Sequence, residues 1–347
     1  MENNNNQHAL NRLQCTALRG IAILGIVLHN WTHWLPMAVK ENEYTFSARN
    51  AKRMMYVLNH PDSDIVVHLL SFFGHYGVPL FLFLSGFGLV MKYERQSAPV
   101  PVVPFIGTHF AKLFRMMIIG FALFLAVDVL TPQTRSYTAV QLLAQLFMVN
   151  NFLPEPHHAI WPGPYWYFGL MLQLYIVYRL LLFRRDDKVL WVLIVLAWMV
   201  QALLPIAERD TLNYLRYNFV GSLLPFCLGI WVGRHGIPWH GRLADGVALV
   251  AALILIVGGS TAYQTWLWVP VGVLVAGISM VRLLPQWSLR PMVWTGGVSA
   301  ALFVVHPTVR KLFLPAMHAD DVWPTLIIYL LIALAAAWLM MPLMKKS

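Results

Sequence analysis

Charged residues are scarce in this chain, and their scarcity excludes most soluble folds. Asp, Glu, Lys and Arg make up 12% of the 347 residues, against about 25% in an ordinary soluble domain. Hydrophobic residues make up 59%. The net charge of +10 does not indicate a nucleic-acid partner, because the basic residues lie in short loops between apolar runs. The composition predicts a polytopic membrane protein whose surroundings are membrane lipid.

Cysteine is also nearly absent, since the chain has only Cys15 and Cys227. Both lie near predicted cytoplasmic ends of helices, so a structural disulfide is not expected. The chain lacks the CxxC, HExxH and GxxxxGKS/T motifs, and no pair of carboxylates lies inside an apolar run. These absences predict that the protein has no metal site and no phosphate-binding loop of the ATPase type.

What the sequence does contain is ten apolar runs, each long enough to cross a bilayer, which takes roughly 20 residues. They predict an all-α, polytopic membrane bundle of about ten transmembrane helices, forming one membrane-embedded domain over residues 1–347. The polar start, residues 1–12, is expected to be a disordered tail. The runs are Thr16–Leu35, Val66–Val90, Leu113–Leu130, Trp166–Phe183, Val189–Ile206, Arg216–Gly233, Asp245–Ala262, Trp266–Leu284, Val293–Leu312 and Pro324–Leu343.

Lys and Arg indicate the orientation, because they accumulate in cytoplasmic loops. With the N-terminus inside, sixteen of the 25 basic residues fall on the cytoplasmic side and nine on the outer side. Both termini are therefore predicted to be cytoplasmic. The run Tyr137–Leu153 is apolar but short, and counting it as a span would invert every later loop. It is expected to be a re-entrant or interfacial segment.

The first apolar run carries Arg19, His29 and His33. At 100° and 1.5 Å per residue, both histidines share a broad helix face with Arg19, and His29 lies about 15 Å further along the axis. Ionisable groups at membrane depth are costly and by default face a protein interior or a cavity. The run therefore suggests a site. The alternative is that Arg19 extends to the interface and that the histidines only pack between helices.

Further candidate residues lie on four other runs, and each has a plain structural explanation beside a functional one. Lys112 and Arg115 share one face at the inner membrane surface, which ordinary loop charge also explains. The histidines suit either ligand binding or hydrogen-bonded packing between helices, and the two aromatic residues suit an interfacial belt. The remaining candidates are His75, Trp166, Tyr167 and His306.

Six stretches, in this order, resemble the acyltransferase 3 family of integral membrane acyltransferases. They are LRGIAIL…H, GVPLFLFLSGF, FIGTHFAKLFR, WYFGLMLQLY, LLPFCLGIWVGR and GGVSAALFVVHP. The likeness runs from about Leu10 to Pro342. It implies transfer of an acyl group, usually acetyl, from cytoplasmic acyl-CoA to a hydroxyl of a surface or exported carbohydrate or glycolipid. It also implies a plasma (inner) membrane location.

The resemblance and the chemistry together give the candidate residues their expected roles. His29 is the expected catalytic base, because a neutral imidazole can take a hydroxyl proton near pH 7. Arg19, Lys112 and Arg115 are expected to bind the phosphates of the acyl-CoA donor. His75, Trp166, Tyr167 and His306 are expected to bind the acceptor, and no metal is expected.

Two departures from the family pattern bear on these roles. Nine residues separate Arg19 from His29, where the family usually has ten, which turns His29 away from Arg19 by about 80°. His33 therefore stays in place as a substitute catalytic residue. Met171 and Leu172 stand where many members carry a glutamate.

Two other functions compete with the enzyme. Buried Arg and His on ten spans also suit a transporter or flippase of a lipid-linked or small anionic solute, although the chain shows no inverted halves. A non-catalytic member of the same fold would bind acyl-CoA or glycan only. The acceptor, the acyl chain and the oligomeric state are not indicated by the sequence.

Overall fold

The computed structural model describes residues 10–96, 98–132, 134–206, 208–314 and 322–344, and every regular element in these ranges is helical. The α-helices are α1 Arg12–Thr32, α2 Ala48–Asn59, α3 Ile65–Phe73, α4 Gly77–Leu89, α5 Val102–Leu130, α6 Ala139–Leu146, α7 Pro156–Ala159, α8 Trp166–Val177, α9 Asp187–Ala202, α10 Arg209–Tyr217, α11 Phe219–His235, α12 Arg242–Gly259, α13 Tyr263–Trp266, α14 Val269–Leu283, α15 Gln286–Phe313 and α16 Val322–Met344.

Among the described residues, seven helical segments are long and apolar enough to span a membrane, or eight if the bent pair α10 and α11 is one span. All ten predicted runs are largely helical, but α9 has 16 residues and α14 has 15. Both fall short of the roughly 17 to 25 residues that a span needs. The expected count of about ten spans is therefore not confirmed, and the cytoplasmic placement of the termini stays a prediction. The seven segments are Arg12–Thr32, Ile65–Glu94, Val102–Leu130, Gly163–Leu182, Arg242–Gly259, Gln286–Phe313 and Val322–Met344.

The start of α1 is fixed by a capping box. Asn11 Oδ1 accepts a hydrogen bond from the Gln14 backbone N–H at 2.8 Å, and Gln14 Oε1 accepts one from the Asn11 N–H at 3.0 Å. These bonds satisfy two donors that a helix N-terminus leaves free. Leu10 is buried. Residues 10–12 therefore belong to the fold and not to the expected disordered tail, of which residues 1–9 lie outside the described ranges.

Helix α1 lies inside the bundle and contacts α3, α4, α14, α15 and α16. Its closest approach is to α15, where a side chain on Gly20 would overlap the Met292 carbonyl oxygen and one on Gly296 would overlap the Thr16 carbonyl oxygen. Small residues allow such backbone contact between membrane helices. The contact holds α1 and α15 side by side, and both helices line the cavities described below.

The run Tyr137–Leu153 contains only the eight-residue helix α6 and a short 3₁₀ turn at Asn150–Phe152. At 1.5 Å per residue α6 is about 12 Å long, far less than the bilayer thickness. The Asn151 amide Nδ2 donates to the carbonyl oxygens of Trp166 and Tyr217, at 3.0 and 2.5 Å. The segment is thereby tied to the start of α8.

The connection between α1 and α2 folds back onto the bundle. Ala38 and Val39 are fully buried, and the Ser71 hydroxyl donates to the Val39 carbonyl oxygen at 2.7 Å. Further along, the Trp266 indole N–H donates to the Asn42 carbonyl oxygen at 2.9 Å. This connection therefore carries its acidic and aromatic side chains inward, toward the outer half of α1.

Candidate active site

Two cavities of similar size meet α1 at different heights. One, of about 340 Å³, is lined by His29 and His33 in the last turns of the helix, and we call it the outer cavity. The other, of about 350 Å³, is lined by Arg19, and we call it the inner cavity. Tyr167 and Phe303 line both cavities, and their ring centroids are 5.3 Å apart. These two rings form the boundary between the cavities.

His29 is held in one orientation by a hydrogen bond to α3. Its side chain is buried, and its Nδ1 atom is 2.8 Å from the Ser71 carbonyl oxygen. Because a carbonyl oxygen can only accept, Nδ1 carries the proton and donates it to Ser71. The tautomer is thereby fixed, and Nε2 keeps a lone pair in a side chain that lines the outer cavity.

Two glutamates from the connection after α1 stand beside the histidines. Glu43 Oε2 is 3.9 Å from His29 Nε2, beyond hydrogen-bond distance, and Glu41 Oε2 is 3.0 Å from His33 Nδ1. Burial and the nearby Glu41 charge raise the pKa of Glu43 to about 8. Burial also opposes ionisation of Glu41, but its hydrogen bond with His33 and the two imidazoles hold its pKa well below the usual range. At neutral pH, Glu43 is therefore protonated and Glu41 is a carboxylate.

His75 faces the same cavity from the second span. Its ring centroid is 5.5 Å from that of His29, and the side chain is 4% exposed. Neither of its ring nitrogens has a hydrogen-bond partner among the described residues. Trp166 lines the cavity as well, and Tyr44 packs edge-on against it with ring centroids 5.4 Å apart. The outer cavity is thus lined by imidazole and aromatic rings, while the two ring nitrogens of His75 are enclosed by protein.

One group of side chains here has the composition of a metal site. Ligating atoms of His29, His33 and Glu41 all lie within 4.8 Å of one another, and imidazole with carboxylate suits zinc. A metal on His29 Nε2 would occupy the lone pair that a general base needs. The expectation that the site works without metal stays a prediction.

The inner cavity is cationic. Arg19 and Lys112 both line it, and both also line an adjoining cavity of about 300 Å³ together with Lys92. No Asp or Glu is among the described residues that line these two cavities. Arg115 lies in a neighbouring groove along α5, α15 and α16, which shares Lys112. The structure therefore brings the three predicted cations to one region and adds Lys92.

His306 lines neither the outer nor the inner cavity. It is fully buried, and its Nδ1 lies 3.1 Å from the Leu302 carbonyl oxygen one turn earlier in α15. One turn later, Arg310 does line the outer cavity. The predicted acceptor-binding role of His306 thus has no cavity contact to support it.

Comparison with known proteins decides the family. The family model described as an acyltransferase domain, that of the acyltransferase 3 family, matches residues 14–342. The chain belongs to the acyltransferase 3 family. Searches of curated proteins and of solved structures find no match. With its apolar helices, this family member is a multi-pass membrane acyltransferase, and membership favours the enzyme over the transporter.

The sequence motifs of this acyltransferase did not point to all of the cavity residues. Five residues that line the cavities lie outside the six quoted stretches: Glu41, Glu43, Tyr44, Lys92 and Arg310. The sequence did offer one signal, the rarity of acidic residues. The chain has only 15 of them, and two, Glu41 and Glu43, stand two positions apart beside the aromatic Tyr44. The two glutamates lie near His29 only because the connection between α1 and α2 folds back onto the bundle.

Proposed function

We propose that this acyltransferase moves an acetyl group from cytoplasmic acetyl-CoA to a hydroxyl of an extracytoplasmic carbohydrate, in the plasma membrane. The observation that carries the proposal is the arrangement of His29. Its Nδ1–H is anchored on the Ser71 carbonyl oxygen, its Nε2 is open to the outer cavity, and Arg19 lies about 15 Å away on the same helix.

The donor is assigned to the inner cavity. The phosphates of acyl-CoA need fixed cations, and arginine binds phosphate through a planar two-pronged fork. Arg19, Lys92 and Lys112 provide cations without a carboxylate in the lining to compete for them. Arg115 extends the positive charge along the neighbouring groove. In this arrangement the thioester reaches the boundary formed by Tyr167 and Phe303.

The acceptor is assigned to the outer cavity. Ligand sites combine aromatic walls with a few polar groups that fix orientation, and Trp166, Tyr44 and His75 provide both. Protonated Glu43 can donate a hydrogen bond to an oxygen placed beside His29. The Glu43 carboxyl group is also hydrogen-bonded to Tyr44. The 3.9 Å between His29 Nε2 and Glu43 Oε2 lets one hydroxyl contact both atoms.

The reaction is direct acyl transfer. The acceptor oxygen attacks the thioester carbonyl carbon while His29 Nε2 takes the hydroxyl proton. The new C–O bond forms, the C–S bond of the tetrahedral intermediate breaks, and His29 returns the proton to the departing sulfur. His29 thereby ends in its starting protonation state, with CoA released as the thiol and the acetyl ester on the carbohydrate.

The test is transfer by the purified full-length protein. Radiolabelled acetyl-CoA is supplied with a panel of neutral and acidic oligosaccharides, and with no acceptor as the control. We expect acceptor-dependent release of CoA and label recovered in an alkali-labile ester on one class of glycan. Folded protein that binds acetyl-CoA and yet transfers label to no glycan would contradict the proposal.

A further inference from the structure

The outer cavity holds a buried cation with no acidic partner. Arg310, near the end of α15, lines this cavity and is 6% exposed. None of the described Asp or Glu side chains lies within ion-pair distance of it. Its Nη1 donates to the Asn30 carbonyl oxygen at 3.0 Å and to Asn30 Oδ1 at 2.9 Å. Its guanidinium carbon lies 5.2 Å from the centre of the Trp34 ring.

The next residue, Lys311, is a buried cation that is paired with a carboxylate. Lys311 Nζ is 3.0 Å from Asp128 Oδ1, and both side chains are buried. A buried charge without a counter-ion is strongly destabilising, so proteins usually pair such charges. Two neighbouring cations on one helix thus differ, since only Lys311 is neutralised by the described part of the chain.

One nitrogen of the Arg310 guanidinium is left to bind an anion. Both hydrogen bonds that Arg310 makes with described residues use Nη1. Its Nε donates to no described residue but is enclosed by protein. Nη2 also donates to no described residue and remains for a ligand in the cavity. A hydrogen bond from a charged guanidinium N–H to a carboxylate or phosphate is shorter and stronger than one between neutral groups.

The other charges in the cavity leave this nitrogen available. Glu43 is protonated at neutral pH, and the Glu41 carboxylate is engaged by His33. Asn30, which Arg310 holds through two hydrogen bonds, is the residue directly after His29. An anion on Arg310 would therefore lie beside the general base.

We propose that Arg310 binds an acidic group of the acceptor, so that the acceptor is a carbohydrate bearing a carboxylate or a phosphate. This inference rests on the proposed function, because it assigns the acceptor to the outer cavity. Arg310 acts as a positioning residue. It fixes the charged end of the sugar so that a hydroxyl of the same molecule meets His29 Nε2.

A purely structural role would also explain part of the geometry. Arg310 meets the end of α1, where a cation interacts favourably with free carbonyl groups and with the helix dipole, and it contacts Trp34. Such a role predicts equal binding of charged and neutral ligands. The test therefore has to compare ligands that differ only in charge.

The experiment measures binding of three small sugars to the detergent-solubilised full chain by tryptophan fluorescence. Methyl glucoside is neutral, methyl glucuronide has a carboxylate in place of its CH₂OH group, and methyl glucoside 6-phosphate has a phosphate. We expect at least one acidic sugar to bind about 10- to 100-fold more tightly than the neutral one. Arg310→Gln should remove this preference without changing glucoside binding, and Arg310→Lys should keep part of it.

The matched control is Arg49→Gln, which removes an exposed cation from α2 and should leave the preference intact. Which acid binds more tightly distinguishes a carboxylate-bearing from a phosphate-bearing acceptor. The proposal is overturned if the folded parent binds no acidic sugar more tightly than methyl glucoside, or if the preference survives Arg310→Gln. Should Arg310→Gln not fold, a preference in Arg310→Lys equal to that of the parent overturns it.

The failure of this inference can be told apart from failure of the proposed function, because the binding assay contains no acyl-CoA. Acetyl transfer without a preference for acidic sugars would remove the Arg310 site and leave the acyltransferase proposal standing. A preference that depends on Arg310, in a protein that transfers no acetyl group, would support the Arg310 site and contradict the acyltransferase proposal.

Discussion

The inner and outer cavities have nearly equal volumes but opposite chemistry. Among the described residues, the inner cavity is lined by two cations and no acidic residue, whereas the outer cavity is lined by four histidines, two glutamates and one arginine. Only the rings of Tyr167 and Phe303 belong to both. The inner cavity can hold charge but has no proton acceptor suited to neutral pH. The outer one has several groups that exchange or donate protons.

This difference suggests that the inner cavity binds the donor and that the outer cavity carries out proton transfer, both along α1. Arg19 and His29 both belong to α1, so that helix would set the distance between the proposed donor site and the proposed base. If the division holds, damage in one cavity should spare the function of the other. The following changes test this separation, in order of the effect expected.

The largest effect is expected from His29→Gln. Loss of a general base typically costs about 10²–10⁴ in rate, and glutamine can still accept hydrogen bonds but cannot take the proton. Initial rates of acetyl transfer should fall by this factor, while the affinity for acetyl-CoA stays at the parent value. The matched variant is His33→Gln. The His33 ring is hydrogen-bonded to Glu41, and its loss should lower the transfer rate much less.

If only His33→Gln abolishes transfer, the catalytic role moves one turn along α1. If neither variant does so at equal membrane expression, the histidines of the first helix are not the base.

A smaller effect is expected from Arg19→Gln. Hydrogen bonds to charged groups contribute about 1.5–3 kcal/mol, so the dissociation constant for acetyl-CoA should rise about tenfold or more. Arg19→Lys should restore part of the affinity, because lysine keeps the charge but lacks the two-pronged fork. Equilibrium binding of labelled acetyl-CoA measures both. Parent-like affinity in folded Arg19→Gln would leave Arg19 without a role in donor binding.

A moderate effect on stability is expected from Glu43→Gln. The folded pKa of about 8 lies above the unfolded value of 4.5, so between these values the folded state holds a proton that the unfolded chain has lost. Stability should therefore fall as pH rises from about 4.5 to 8. Melting curves in detergent from pH 5 to pH 9 should show a steeper fall for the parent than for Glu43→Gln.

The control for that measurement is Glu155→Gln, an exposed residue outside both cavities, which should melt with the parent's pH dependence. Parallel curves for the parent and Glu43→Gln would show that Glu43 titrates in its ordinary range.

No effect is expected from metal chelation. The proposed base needs a free lone pair on His29 Nε2, which a bound metal would occupy. Transfer rates should be the same before and after treatment with a chelator. Loss of transfer that added zinc restores would instead assign a metal to His29, His33 and Glu41, and would replace the general-base mechanism.

The sequence predicted those features whose cause is local. Arg19 and His29 stand out because an ionisable group in an apolar run is costly wherever the helix packs. The long apolar helices follow from the apolar runs alone, whereas α2 and most of α10 fall between those runs. The family was also predictable, since its motifs are continuous stretches, and the match over residues 14–342 confirms it.

Features that depend on distant contacts were not predicted. Glu43 reaches His29 because its backbone carbonyl accepts a hydrogen bond from Arg216, 173 positions away, and no local pattern encodes that contact. Arg310 stands near the end of the run Val293–Leu312, and nothing in the sequence indicates that the end of α1 packs against it. The span count was not confirmed for a related reason, since α9 ends four residues before its apolar run does and α14 begins three residues after the start of its run.

The central claim is that donor and acceptor enter from opposite ends of α1, and a sided assay tests it most directly. The full-length protein is reconstituted into sealed vesicles with an acceptor glycan trapped inside, and labelled acetyl-CoA is added outside only. We expect labelled ester on the trapped glycan, with none in vesicles carrying His29→Gln. Label that appears only when acetyl-CoA and glycan share one compartment would contradict it.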